Sequence, residues 1–323
     1  MVCKYARVLL TIALHLIILC SAAIAAIPDS AYQPLPAISL ESNVSPFDYW
    51  SPRANKGSSR AQFRLAELYE FGAKGITKDS LLAAKWYRLA AEQGYAEAQL
   101  RLSNFYLRGK GVEKDAAEAM KWLRAAAERE HPVAQNTLGL NISAGVAEEK
   151  NDREAARWFR AAAEHGYSYG QLNIGLCLRD GIGTDQNLAA SFSWFKKAAG
   201  QGLSEASAEL ASMYEQGLGV QQDLQKANSI YKQLAEHGYQ FARRKLADRK
   251  TVDGVADAEQ VFQEYKSLAG GGDAWAQYEL ALKLTSGTGV KQNFSEAAKW
   301  YRAAAEKGLA AAQNSYAEIL SSR

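Results

Sequence analysis

Cysteine is nearly missing from this 323-residue sequence, with three in all, and two of them, Cys3 and Cys20, stand in the first twenty residues. With that opening segment set aside Cys177 is alone, which excludes a disulfide framework and a cysteine-based zinc site. Proline is scarce after the beginning: of six, Pro28, Pro34, Pro36, Pro46 and Pro52 fall within 25 residues, and only Pro132 follows. A surplus of one charge is missing too. Lys and Arg number 38 against 35 Asp and Glu, and without Lys4 and Arg7 the balance is 36 to 35. That near-neutrality excludes the basic footprint of a nucleic-acid binder. What is present is an ordinary globular composition, 48% apolar and 10% aromatic, which excludes a disordered or collagen-like chain.

The first residues have the layout of an export signal. Lys4 and Arg7 form a charged start, Val8 to Cys20 is apolar apart from Thr11 and His15, and small residues Ser21 to Ala26 follow. This predicts a signal peptide over 1–25, removed after Ala25 or Ala26, with a retained anchor as the alternative. The apolar run is short for a membrane span, so no stable membrane insertion is expected after cleavage. Leu19 before Cys20 argues against lipid attachment. Residues 26–59, rich in Pro, Ser and Asn, read as an extended linker. Within it Phe47-Asp48-Tyr49-Trp50 is either a cap over the first repeat or a short docking peptide.

The remainder is periodic. Trp86, Trp122, Trp158 and Trp194 are each 36 residues apart, and the same ruler continues through Ile230, Glu264 (two residues short) and Trp300. Seven residues before these positions stand Asp79, Asp115, Asn151, Asn187, Asp223, Asp257 and Asn293, the residue types of a helix N-cap. Eight residues after them stand Gly94, Glu130, Gly166, Gly202, Gly238, Gly272 and Gly308, where glycine supplies a left-handed stop. For Glu130 the following Pro132 is expected to stop the chain instead. The bracketed segment is helix B of each repeat. Helix A fills the other half, with Ala61, Ala98 and Ala134 four residues before Leu65, Leu102 and Leu138, and with a small-residue column Ala66, Ser103, Gly139, Gly175 beside them. Gly-x-Gly elements such as Gly109-Lys110-Gly111 and Gly181-Ile182-Gly183 join A to B. They lack the third glycine and the lysine of a phosphate loop, so they are turns.

These residues together resemble the Sel-1-like repeat, a relative of the tetratricopeptide repeat. Ala98 to Gly111, Asp115 to Ala127 and Ala276 to Gly308 match its pattern closely, and the resemblance covers Arg60 to Arg323 as seven repeats plus a half-repeat, Ala310 to Arg323, that would cap the array. The resemblance implies an all-α fold, a right-handed α-solenoid of about seven antiparallel helix pairs plus a C-terminal capping helix. Relatives of this kind are mostly adaptors and regulators in cell envelopes, secretion systems and the endoplasmic reticulum. A cysteine-rich branch, some of whose members bind penicillins, carries a disulfide in each repeat, and a single Cys177 departs from it.

Nothing in the array reads as catalytic, and no metal or cofactor is expected. His165 and His237 precede the helix-ending glycine, where Lys307 and Gln93 also occur, and there a cation complements the helix dipole. Cys177 falls near the buried stripe of helix A and reads as core. Carboxylates such as Glu92, Glu128, Glu164, Glu236 and Glu306 recur once per repeat, as structural positions do. Sequons at Asn43, Asn141 and Asn293 matter only in a eukaryotic secretory route.

The distinctive residues lie on the far face of helix A. Positions two before and two after the Leu65 column point about 160° and 200° away from it. There stand Phe63, Leu100, Leu140, Leu172, Leu176, Tyr278 and Leu282, on a surface that solvent alone would make polar. They form either a concave groove for a protein partner or an extension of the core through neighbouring helices A. Repeat six carries Arg243, Arg244, Lys245, Arg249 and Lys250 within eight residues, either a drifted, solvated face or a patch for an acidic partner or polysaccharide. The favoured function is an exported, non-catalytic scaffold binding a protein partner in a cell-envelope complex, or regulating a sensor or secretion system. The rival is an envelope enzyme or polysaccharide binder, which would need converging titratable groups from different repeats. The bacterial periplasm is the expected location, with secretion the alternative.

Overall fold

The computed structural model describes residues 45–73, 75–252 and 258–321, with 247–252 and 321 described by backbone alone. The expected signal segment 1–25, residues 26–44 of the expected linker and Asp257 lie outside the described residues. Sixteen α-helices and no strand occur among the described residues. Contacts divide the chain into two compact units, one up to Gln201 and one from Gly202. Each is an α-solenoid in which helices pack on their sequence neighbours.

The first unit holds α1 (Pro46–Asn55) and four A/B pairs: α2 (Ser59–Phe71) with α3 (Ser80–Glu92), α4 (Ala96–Arg108) with α5 (Ala116–Glu128), α6 (Pro132–Ala144) with α7 (Asp152–Glu164), and α8 (Ser168–Asp180) with α9 (Leu188–Gly200). Each helix B begins where the periodic Asp or Asn caps it. Asp79 accepts from Leu82 N at 2.9 Å, Asp115 from Glu118 N at 3.0 Å, Asn151 from Glu154 N at 3.0 Å and Asn187 from Ala190 N at 2.9 Å. The glycine after helix B turns left-handed, as at Gly94 (φ +82°) and Gly166 (φ +83°). Glu130 corrects one expectation: it takes φ +61° itself, so this helix ends by the same left-handed route as the others and not by Pro132.

Close approach explains the small residues. A Cβ on Gly175 would lie 2.6 Å from the Phe195 ring, so α8 seats directly on α9. The second glycine of the A-to-B turn has the same cause: a Cβ on Gly111 would lie 2.0 Å from the Ser80 carbonyl oxygen. Glycine in these turns therefore serves packing of one repeat on the preceding helix B. The core built this way includes Leu123, Leu138, Ile142, Phe159 and Ile174, all buried.

Helix α1 corrects the linker boundary. Ser45 caps it by accepting from Asp48 N at 3.1 Å, and Pro46 sits in the first turn, where no amide is needed. Phe47 and Trp50 pack on Ala54, Ala61 and Leu65, with Phe47 edge-on to Tyr69 at 6.4 Å. The aromatic cluster thus covers the first repeat.

The second unit holds α10 (Ser204–Gln216) with α11 (Leu224–Glu236), α12 (Gln240–Val252) with α13 (Ala258–Gly270), α14 (Ala274–Ser286) with α15 (Phe294–Glu306), and α16 (Ala310–Ser321) packed on α15. Repeat six is its thin part. Among the described side chains of α12 only Ala242 is buried, and Val261, Phe262 and Tyr265 of α13 carry the core there.

Candidate functional site

The far face of helix A divides into two groups. Phe63, Leu100 and Leu172 are core: they are 0%, 4% and 6% exposed. Phe63 lies between Tyr87 and Tyr95, with ring centroids at 5.5 and 5.1 Å, and Leu100 joins the cluster of Leu123 and Leu138. The reason is contact between successive helices A, as where α6 meets α8, which covers a face that would be open on a single helix. These three are corrected from groove to core. Leu140, Leu176, Tyr278 and Leu282 are half-buried. Leu140 packs along the edge of the first unit's core, and Tyr278 and Leu282 along that of the second. Tyr278 also meets Trp275 edge-on at 5.8 Å and Tyr301 at 5.7 Å.

The basic cluster of repeat six is partly engaged by neighbouring groups. Arg243 Nε donates to the Ala235 carbonyl at 3.2 Å, Arg244 pairs with Asp273 at 3.4 Å, and Lys245 pairs with Glu215 at 3.1 Å. Arg244 and Lys245 are thus paired with carboxylates within the second unit, while Arg243 stays exposed. The side chains of Arg249 and Lys250 lie outside the described residues.

Two polar systems have no counterpart among the sequence expectations. The first is a glutamine column one residue after the helix-A alanine. Gln62, Gln99, Gln135, Gln171 and Gln277 each donate Nε2 to the carbonyl eight residues back, at Ala54, Ala91, Ala127, Ala163 and Ala269, over 3.0–3.4 Å. Each adds a second donor to a carbonyl that already accepts from the backbone amide of the left-handed residue ending the preceding helix, Gly57, Gly94, Glu130, Gly166 or Gly272. The residue before the next helix-ending glycine completes the clamp: Gln93 donates to Gln62 Oε1 at 2.7 Å, His165 Nδ1 lies 3.0 Å from Gln135 Oε1, and Gln201 donates to Gln171 Oε1 at 2.8 Å. Since Gln135 spends its amide on Ala127, its Oε1 is the acceptor and His165 Nδ1 carries the proton. The fixed phase of these glutamines is the signal the sequence offers for them.

The second system is a buried charge hub. Glu70, with a side chain 1% exposed, pairs with Arg101 at 3.0 Å and Lys110 at 2.9 Å and accepts from Tyr87 Oη at 2.7 Å. Burial, then the Glu70 charge, raises the Tyr87 hydroxyl pKa well above its ordinary value. The arrangement recurs four repeats on, where Glu215 receives Tyr231 Oη at 3.2 Å and Lys245 at 3.1 Å. Recurrence at one phase marks it as repeat architecture. Asn173 Nδ2 also donates to Asn136 Oδ1 at 2.8 Å between α8 and α6.

No catalytic constellation assembles from the sequence candidates. Cys177 is buried, and burial raises its thiol pKa to about 12, which removes the thiolate a nucleophile needs. His131 caps α6, His165 belongs to the glutamine clamp, and His237 Nδ1 lies 2.7 Å from the carbonyl of Gln233 in its own helix. Asn141, one of the sequons, is 1% exposed in mid-helix, whereas Asn293 caps α15 by accepting from Glu296 N at 3.0 Å. Among the described residues no three His, Cys, Asp or Glu gather as a metal site, and no helix is long and apolar enough to cross a membrane.

With this geometry in place, comparison with known proteins settles the family. The Sel1 repeat model matches residues 59–95, 96–131, 132–167, 168–203, 204–239 and 276–309. The chain belongs to the Sel1 repeat family. Its unmatched interval, 240–275, contains the thin repeat six. Among solved structures, c5321, a protective antigen of uropathogenic Escherichia coli with the same fold, is 33% identical at a TM-score of 0.68, covering 86% of this chain and 59% of its own. This chain therefore spans under two thirds of that antigen. A Sel1 repeat protein from Oxalobacter formigenes is 26% identical at a TM-score of 0.64, covering 93% and 86%. Among curated proteins, chitin synthase regulatory factor 3 of Schizosaccharomyces pombe is 41% identical over 63 residues, 20% of this chain and 7% of that protein. Regulatory factor 1 of the same yeast is 38% identical over 56 residues, 17% and 12% of the two. The Sel1 chain thus spans only a small part of either yeast relative. Sel1 repeats typically mediate protein–protein interaction on a generally non-catalytic scaffold.

Proposed function

We propose that this Sel1 chain is an exported, non-catalytic adaptor that binds a protein partner through the apolar side chains left partly open on helix A. One observation carries the reading. Leu140 and Leu176 occupy the same phase of successive helices A and remain half-buried, whereas Phe63, Leu100 and Leu172 close completely into the core. Tyr278 and Leu282 keep a comparable apolar edge in the second unit. Half-open apolar side chains on a packed backbone bind with little ordering cost, since the wall exists before the partner arrives. Two relatives are regulatory factors by name, which supports action on another protein. The charged start at Lys4 and Arg7 with the apolar run Val8 to Cys20 supports export, and we place the mature chain in the bacterial periplasm, in an envelope complex or acting on a sensor or secretion system.

The test is affinity capture from native envelope extract with the chain from Ala26 onward, beside a variant carrying Leu140→Glu, Leu176→Glu and Leu282→Glu, with circular dichroism of both. The reading requires a partner that the folded variant loses. A folded variant that keeps every partner, or one that unfolds because these leucines are core, removes this face from consideration. Cell fractionation with N-terminal sequencing tests export, and a full-length cytoplasmic chain would refute it.

A further inference from the structure

We propose that His131 is a proton-operated cap, which holds the first turn of α6 when its imidazole is neutral and releases it in mild acid. His131 is the N-cap residue of α6, with extended backbone (φ −72°, ψ +111°) just before Pro132. Its Nδ1 lies 3.3 Å from the amide N of Ala134, which donates to it. An atom that accepts from an N–H holds a lone pair, so the ring proton sits on Nε2. Protonating Nδ1 sets two N–H groups against each other. It also places positive charge at the end of a helix whose dipole already disfavours it.

The other helices A lack this sensitivity. Tyr95, Tyr167 and Leu203 stand at the same position and make no side-chain cap. Ser58 caps α2 with a hydroxyl, and Asp273 caps α14 at 2.9 Å with a carboxyl oxygen instead of a ring nitrogen. Little around His131 offsets a proton. Helix α6 carries no charged residue. From α4 the Glu97 carboxylate acts on the ring in favour of the charged form, but burial outweighs it and the imidazole pKa is held below its ordinary value. At the end of α5 stand Arg129 and Glu130, and the carboxylate of Glu130 is directed to His165 at the end of α7, with 3.8 Å between them.

A folded-state value below the unfolded one, about 6.5, fixes the sign. The unfolded chain binds the proton more readily, so the contribution of the cap is complete above about pH 6.5 and is lost as pH falls through the lower folded value. Proton uptake is thereby coupled to opening of one turn of α6.

Amide hydrogen exchange at Ala134, corrected for intrinsic rates, reads the device directly at pH 7.5 and pH 5. The reference is His131→Asn, whose side-chain oxygen caps at either pH. Expected is an acceleration of about five-fold in the native chain, the size of one N-cap bond, and none in His131→Asn. Equal responses in the two chains, or none in the native chain, overturn the proposal. Should His131→Asn fail to fold, His131→Asp supplies the cap that Asp273 makes in α14.

Discussion

Two substitutions at left-handed positions separate backbone strain from steric exclusion in this solenoid. Gly166 has φ +83° and a Cβ added there would meet nothing within 4 Å, whereas at Gly111, with φ +66°, a Cβ would meet the Ser80 carbonyl oxygen at 2.0 Å and its carbon at 2.3 Å. Gly166→Ala therefore bears only the left-handed penalty, about 1 kcal/mol. Gly111→Ala bears the same penalty plus a contact more than about 1 Å too short. Its neighbour is backbone at the start of α3 and not a flexible side-chain tip, so the turn must lift off the preceding helix. Overpacking of that kind adds about 1–3 kcal/mol. The expected totals are about 1 kcal/mol for Gly166→Ala and about 2–4 kcal/mol for Gly111→Ala. In thermal melts followed by circular dichroism these correspond to a fall in Tm of about 2–4 °C and about 4–16 °C. Equal losses for the two variants would refute the idea that the Gly-x-Gly turn exists to let one repeat sit on the previous helix B.

Other outcomes follow from the same contacts. Glu130→Gly relieves a left-handed non-glycine residue (φ +61°) and should raise stability by about 0.5–1 kcal/mol; a loss in urea unfolding would mean that Glu130 makes a compensating contact. Gln135→Ala removes the donor to the Ala127 carbonyl and the acceptor for His165, for an expected loss of about 1–3 kcal/mol; Gln313→Ala, at the exposed end of the same column, should cost less, and the reverse order would contradict the clamp. Cys177, with its pKa raised to about 12 by burial, should resist iodoacetamide at pH 8 until the chain unfolds. A thiol raised in the folded state contributes stability that is intact below its unfolded value of about 8.5 and is lost as pH rises toward 12. Alkaline melts of the native chain and Cys177→Ala should therefore converge, and parallel curves would refute the burial.

Local signals make most of the architecture legible. Asp79, Asp115, Asn151 and Asn187 act as caps because an N-cap bond reaches only three residues ahead, and so needs no knowledge of the rest of the fold. The turn glycines are legible for the same reason. What the sequence hides depends on residues distant in the chain. Arg101 and Glu70 are 31 positions apart, and the Gln135–His165 contact spans 30. The angle around one helix A takes no account of the next helix A, and for that reason it misplaces Phe63, Leu100 and Leu172. The charges of repeat six form a run in sequence, but Arg244 and Lys245 each find a carboxylate outside their own helix, Asp273 and Glu215. Helix α1 is hidden by its prolines, although Pro46 in a first turn behind a serine cap is compatible with a helix.

The proposed partner-binding face is tested most directly by placing a photo-crosslinking residue at 140, at 176 and, as a comparison, at 81, since Leu81 is 69% exposed and lies outside the helix-A columns. Each version is expressed as the full 323-residue chain in native cells and irradiated. Positions 140 and 176 should yield the same adduct, of one molecular mass and one identified protein, with none from 81. Adducts from 81 alone, or identical adducts from all three positions, would contradict a partner site on helix A.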